Sequence, residues 1–155
     1  MKREIKFRGK VKGATTASDW VYGSLLIYGD GEHNIFVPRK YNYKLDSWNV
    51  EPSTVGQFSG LKDKNGKEIY EGDIIHIDCH PWLDWKELDS VNAEIVFDDY
   101  AWVAQWKNPD AGQPYLCSPD DYDEQSEYIA EMLGSLPKTI EVIGNIFDNP
   151  ELLNR

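Results

Sequence analysis

Apolar and polar residues alternate over short runs along most of this chain, the spacing of strands with one buried face. In Lys2–Lys12 the even positions are Lys2, Glu4, Lys6, Arg8, Lys10 and Lys12, and the odd ones include Ile5, Phe7 and Val11. This predicts a strand with one apolar and one mostly basic face. The ordinary reading is a solvated edge that uses lysine to block aggregation, and the alternative is a binding strip. Small residues from Gly13 to Ser18 read as a loop, and Trp20–Tyr28 reads as a strand. Gly29-Asp30-Gly31 reads as a turn, Asn34–Val37 as the returning strand, and Tyr41–Val50 as a further aromatic one. Pro52 marks a boundary, followed by the apolar run Val55–Leu61.

The second half continues the pattern. Asp63-Lys64-Asn65-Gly66-Lys67 separates Val55–Leu61 from Ile69–Ile77. Asn-Gly there predicts a type I′ hairpin turn, which needs positive φ at both central residues. Glu71-Gly72-Asp73 is a break at which the second strand can bulge or bend. Its apolar set is Ile69, Ile75 and Ile77. Val91, Ala93, Ile95 and Phe97 alternate with Asn92, Glu94 and Asp98. After a turn at Asp98-Asp99, Tyr100, Trp102 and Trp106 share one face of a hairpin partner, and Thr139–Phe147 closes the set. Short strands with turn-rich links suit a small barrel.

Only Ser118–Leu136 departs from the two-residue period. Ser118 suits a helix cap and Pro119 the first helical position. Asp120, Asp121, Asp123 and Glu124 then suit a helix N-terminus. Ile129, Met132, Leu133 and Leu136 fall at helical spacing before Pro137. The expectation is one amphipathic helix around 118–136. A calcium loop is disfavoured, because the acidic run lacks the EF-hand spacing and its central glycine.

Several blocks carry a family resemblance. They are Arg3-Glu4-Ile5-Lys6-Phe7-Arg8-Gly9, Trp20-Val21-Tyr22-Gly23, the stretch Thr54–Ile77, Ile140–Ile146 and Asn149–Leu153. In that order, over nearly the whole chain, they resemble the YopX family of phage and prophage proteins. The resemblance implies a mainly β fold, a β-rich N-terminal part over residues 1–61 followed by an SH3-like small barrel over 62–155. The expected helix is then an insert before the last barrel strand.

Composition narrows the function classes. The chain has 155 residues, 41% apolar and 13% aromatic, enough for a packed core and against global disorder. It contains no 18-residue apolar run, so no membrane partner is expected. The charged N-terminus lacks a signal-like apolar segment, so a cytoplasmic location in the bacterial host is expected. Cys79 and Cys117 are too few for a disulfide framework. The net charge of −11 is uneven. Residues 1–50 hold nine Lys+Arg against five Asp+Glu, and the remainder seven against 22, so the parts carry +4 and −15. Such an acidic chain disfavours nucleic acid as a partner. The basic face of Lys2, Lys6, Arg8, Lys10 and Lys12 could meet Asp120, Asp121, Asp123 and Glu124 of a second copy, making a homo-oligomer, or of the same chain.

Candidate chemistry is sparse. Asp78, Cys79, His80, Asp84 and His76 gather potential metal ligands without zinc spacing, so no metal and no cofactor are expected. Cys79 near a histidine lacks an orienting third group and an oxyanion site, so no catalytic residue is assigned. No phosphate-binding loop, dinucleotide fingerprint or nucleophile elbow is present. Trp82, Trp85, Trp102 and Trp106 would ordinarily fill a core. If exposed, the acids around them favour a peptide over single-stranded nucleic acid. The leading expectation is a non-enzymatic phage or prophage accessory protein that binds a host or phage protein. The alternatives are an acidic DNA mimic that inhibits a host DNA-binding protein, and a small metal- or thiol-dependent hydrolase.

Overall fold

The computed structural model describes residues 4–16, 19–39, 44–78, 90–98, 101–107, 114–116 and 140–154. It is mainly β and divides into two units, Met1–Gly60 and Leu61–Arg155. The expected helix at 118–136 lies outside the described residues, as do Cys79, His80, Asp84 and Cys117.

In unit 1 the strands are β1 (Phe7–Lys10), β2 (Trp20–Ile27), β3 (His33–Pro38), β4 (Leu45–Val50) and β5 (Gly56–Lys62), the last running into unit 2. They lie side by side in the order β4-β3-β2-β1-β5. The row also bends back on itself. Val11 bridges Val50, Lys12 N–H donates to the Asn49 carbonyl at 2.9 Å, and Glu51 N–H donates to the Lys10 carbonyl at 2.9 Å. The end of β1 therefore meets the end of β4, and Ile35 and Val50 are fully enclosed. This closure lies within the β-rich N-terminal part.

So tight a curl leaves no room for some side chains. A Cβ on Gly9 would sit 3.0 Å from the Val50 side chain and 3.1 Å from that of Ile35. A Cβ on Gly23 would lie 2.9 Å from the Phe36 carbonyl carbon and closer still to its oxygen. Both glycines belong to the sequence blocks noted above.

The solvated-edge reading of the first strand is corrected here. β1 pairs with β2 from Phe7↔Gly23 to Lys10↔Trp20, and with β5 through Phe7↔Gln57 and Arg8↔Gly56. It is an interior strand. The expected apolar and basic faces are also exchanged at two positions, since Ile5 is 68% exposed and Arg8 only 5%.

Unit 2 holds β6 (Glu68–Tyr70), β7 (Asp73–Asp78), β8 (Ser90–Asp98), β9 (Ala101–Lys107), β10 (Pro114–Leu116) and β11 (Ile140–Asn145). Its antiparallel sheet has the order β10-β9-β8-β7-β11. The ring closure of an SH3-like barrel is not among the described pairings of this unit. Ile69, Ile75, Ala93, Ile95, Ile140 and Val142 form the core, with Leu61, Ile77, Trp102 and Ala104 against it. The alternation of β7 and β8 predicted Ile75, Ala93 and Ile95 of this set. Burying each isoleucine fully is worth about 1.5–3 kcal/mol. Phe97 is the exception on its face, since it is exposed and meets Trp102 edge-on at 4.9 Å.

The expected single strand at Ile69–Asp78 is two strands. Gly72, at φ +75°, makes a turn between β6 and β7. Its N–H donates to the Ile95 carbonyl and its carbonyl accepts from Ile146 N–H. The Asp73 carboxylate closes the turn by accepting Tyr70 N–H at 2.8 Å.

The Asn-Gly hairpin is one residue longer than a type I′ turn. Gly66 N–H donates to the Asp63 carbonyl, and Asp63 N–H to the Lys67 carbonyl. Gly66 has φ +80°, as expected, and closes a three-residue loop of the bulged kind. Asp63 organises this loop and ties it to a distant strand. Its buried carboxylate accepts N–H from Asn65 and Lys67 at 2.8 Å each, and from Val142 at 3.0 Å. Burial alone would raise its pKa, but the N–H groups of Val142, Lys67 and Asn65 and the Lys67 charge hold it below the usual carboxylate range. Lys64 N–H donates to the Ile140 carbonyl, and Lys64 Nζ meets Glu141 at 2.8 Å. The outer edge of β11 is thus covered by the turn, which removes an open template for unwanted strand pairing.

Candidate interaction surface

Of the residues singled out from the sequence, Lys6, Arg8 and Lys10 are described and fall on one face. Lys2, Trp82, Trp85, Asp120, Asp121, Asp123 and Glu124 lie outside the described residues. The register places Trp20 beside Lys10 and Tyr22 beside Arg8. The Arg8 guanidinium stacks 4.9 Å from the Trp20 ring centre, and Lys6 Nζ lies 5.0 Å above the Phe58 ring. Stacking on an aromatic face lets a buried arginine keep its charge at tolerable cost.

These cations also meet local acids. Lys6 Nζ is 3.6 Å from Glu4. The Asp19 carboxylate is held below its usual range first by the Thr16 hydroxyl, and the Lys10 charge adds to this. The strip that reads as basic in sequence is therefore largely engaged within unit 1. Its positive character is weaker than a count of lysines suggests.

The apolar surface is elsewhere. Leu26 and Ile27 end β2 and Tyr28 follows them, and all three are exposed, Ile27 at 56%. Adjacent strand residues point to opposite faces, so this run is open on both sides of the ribbon. Opposite it, Leu26 pairs with Asn34 and Ile27 with His33. The β2–β3 tip is held by Tyr28 N–H donating to the Glu32 carbonyl, and by the Asp30 carboxylate accepting Glu32 N–H. The hairpin thus presents three large apolar side chains. On β4, Leu45 and Trp48 are exposed as well. The sequence reading missed the tip, because an apolar run within a strand ordinarily signals a core.

Of the candidate polar residues, His76 is described, and it takes part in a structural bond. His76 Nδ1 lies 2.8 Å from Asn92 Oδ1, and Asn92 Nδ2 donates to the Leu152 carbonyl at 2.8 Å. Because Asn92 presents its oxygen, the proton sits on His76 Nδ1. The pair fastens the C-terminal turn to β7 and β8. Glu94, on β8, has its pKa raised by burial and by the charge of nearby Glu71. Among the described residues, no three His, Cys, Asp or Glu side chains come together as a metal site would require. Among them, too, no helix is long and apolar enough to cross a membrane.

Comparison with known proteins places these features in a family. The family model described as YopX protein matches residues 6–154. No curated protein matches the chain. Among solved structures, the chain is similar to protein yopX from Bacillus subtilis at 22% identity, covering 98% of this chain and 99% of that one, with a TM-score of 0.49. It is also similar to protein EF1440 from Enterococcus faecalis at 23% identity, covering 98% and 99%, with a TM-score of 0.46.

Proposed function

The chain belongs to the YopX protein family, and we propose that it is a phage or prophage accessory protein that works by binding another protein rather than by catalysis. The observation that supports this reading is the exposed run Leu26-Ile27-Tyr28 on the β2–β3 tip. Apolar surface left in water forgoes about 25 cal/mol per Å² of burial, so three large apolar side chains exposed together at a hairpin tip support a contact surface there. Tyrosine with aliphatic neighbours also suits the centre of a protein interface.

The test is affinity capture from cells carrying the prophage, comparing the wild-type chain with Ile27→Glu. Because Ile27 is exposed, the variant should keep its melting temperature. The expected result is one discrete protein whose recovery falls about tenfold or more with Ile27→Glu, as when a charge enters the centre of an interface. A captured set unchanged by the substitution would end this reading. A captured DNA-binding protein that duplex DNA displaces would replace it with the DNA-mimic reading.

A further inference from the structure

The loop between β5 and β6 holds a reactive pair. Asn65 is the only asparagine of the chain that a glycine follows. The backbone nitrogen after an asparagine can attack the side-chain amide carbon, and its own residue's side chain ordinarily shields it. Glycine removes that shield. At Gly66 the place a Cβ would fill has no atom within 4 Å. Asn65 is exposed, and among the described residues its hydrogen bonding runs through its backbone N–H. What restrains the pair is the loop itself. Gly66 N–H donates to the Asp63 carbonyl at 2.9 Å, and the Asp63 carboxylate accepts Asn65 N–H at 2.8 Å. A nitrogen engaged in this way must leave its bond before it attacks, so the reaction waits on local opening of the loop.

We propose that Asn65 is a site of spontaneous covalent modification, gated by the Asp63 loop, and that its isoaspartate product loosens the tie between this loop and β11. The Gly66 nitrogen gives its proton to water and bonds to Asn65 Cγ. The Cγ–Nδ2 bond breaks, Nδ2 takes up a proton, and ammonia leaves a cyclic imide. Water then opens the ring at one of its two carbonyl carbons. Opening at the main-chain carbonyl leaves an aspartate linked through Cγ, which is isoaspartate, and opening at Cγ leaves an ordinary aspartate. In sum one water is consumed and one ammonia released. The isoaspartate adds a carbon to the main chain between Asp63 and Lys67. In the unmodified loop Asn65 N–H and Lys67 N–H converge on one oxygen of the Asp63 carboxylate, and Val142 N–H donates to the other. A longer main chain takes the Lys67 N–H out of that convergence, so the carboxylate is no longer held for Val142. The site lies in the unit 2 loop, so it stands or falls independently of the contact surface proposed at the β2–β3 tip.

The test follows the full chain at mildly alkaline pH by peptide mapping, with methyl transfer by an isoaspartyl methyltransferase marking the isoaspartate. Position 65 should convert faster than Asn34 or Asn49. The urea-unfolded chain should convert there about tenfold faster than the native one, because the closed loop suppresses the open population. Asp63→Ala, at a temperature where circular dichroism shows it folded, should fall between the two. The modified chain, separated by its added negative charge, should melt roughly 5 °C lower than the unmodified one. Asn65→Asp carries the same charge without the longer main chain and should melt close to the wild type. Conversion at Asn34 or Asn49 as fast as at Asn65 overturns the proposal. So do equal rates at position 65 in the native and urea-unfolded chains, or an isoaspartate chain that melts together with Asn65→Asp.

Discussion

Asp63→Ala is expected to lower the unfolding free energy by on the order of 3 kcal/mol, because it strands three N–H groups that a buried carboxylate now satisfies. Those groups belong to Asn65, Lys67 and Val142. Two shape the loop, and the third joins it to a strand 79 residues away in sequence. Water can reach the vacated loop donors more readily than the buried Val142 N–H, so the greater loss falls at β11. Asp63→Asn keeps the shape but presents an amide N–H to a backbone donor, and it should recover only part of the loss. For a domain of this size the alanine variant should melt roughly 10 °C lower. Thermal unfolding followed by circular dichroism measures it. A change of a degree or two would show that the carboxylate does not hold the turn to β11.

The same residue predicts an acid response. Its folded pKa lies below the ordinary value, so its stabilising contribution is complete above the unfolded carboxylate pKa of about 3.9. That contribution is lost as pH falls through the folded value. Wild-type and Asp63→Asn stabilities should therefore converge as the pH falls below about 4, and differ most near neutrality.

Gly23→Ala should cost a comparable amount, on the order of 3 kcal/mol, through overpacking against backbone rather than through lost bonds. The added methyl group would lie against the Phe36 carbonyl, and main chain inside a paired ribbon cannot rotate aside as a side chain can. Relief requires β2 and β3 to move apart at the Ser24↔Phe36 pair, which loosens the ladder on either side. Gly29, whose Cβ would meet nothing within 4 Å, provides the matched control and should tolerate alanine far better. Equal melting temperatures for Gly23→Ala and Gly29→Ala would refute this account of the curl.

These two residues also show what the sequence can and cannot carry. Strands of unit 2 were legible because one face of each meets a core. Ala93 and Ile95 alternate with Asn92 and Glu94 for that reason. Gly66 was legible as a positive-φ position, since asparagine-glycine between apolar runs signals a turn. The loop's extra residue was not, because it depends on the Asp63 side chain, which gathers N–H groups from both ends of unit 2. β1 was misread as an edge because alternating lysine ordinarily means solvent. Here Trp20 and Phe58 give Arg8 and Lys6 aromatic faces to lie on, and those aromatics come from other strands. The exposed tip was hidden for the opposite reason. Leu26-Ile27-Tyr28 has the composition of a core strand, and only its place at the end of the β2–β3 hairpin leaves it in water.

The account turns on that tip contacting another protein. The most direct measurement places a photoreactive amino acid at Tyr28 and, as a control, at exposed Lys62, and irradiates cells that produce the chain. The account predicts a discrete adduct from position 28, absent from position 62 and lost when Ile27→Glu is added. No adduct at position 28, or the same adducts from both positions, would contradict it.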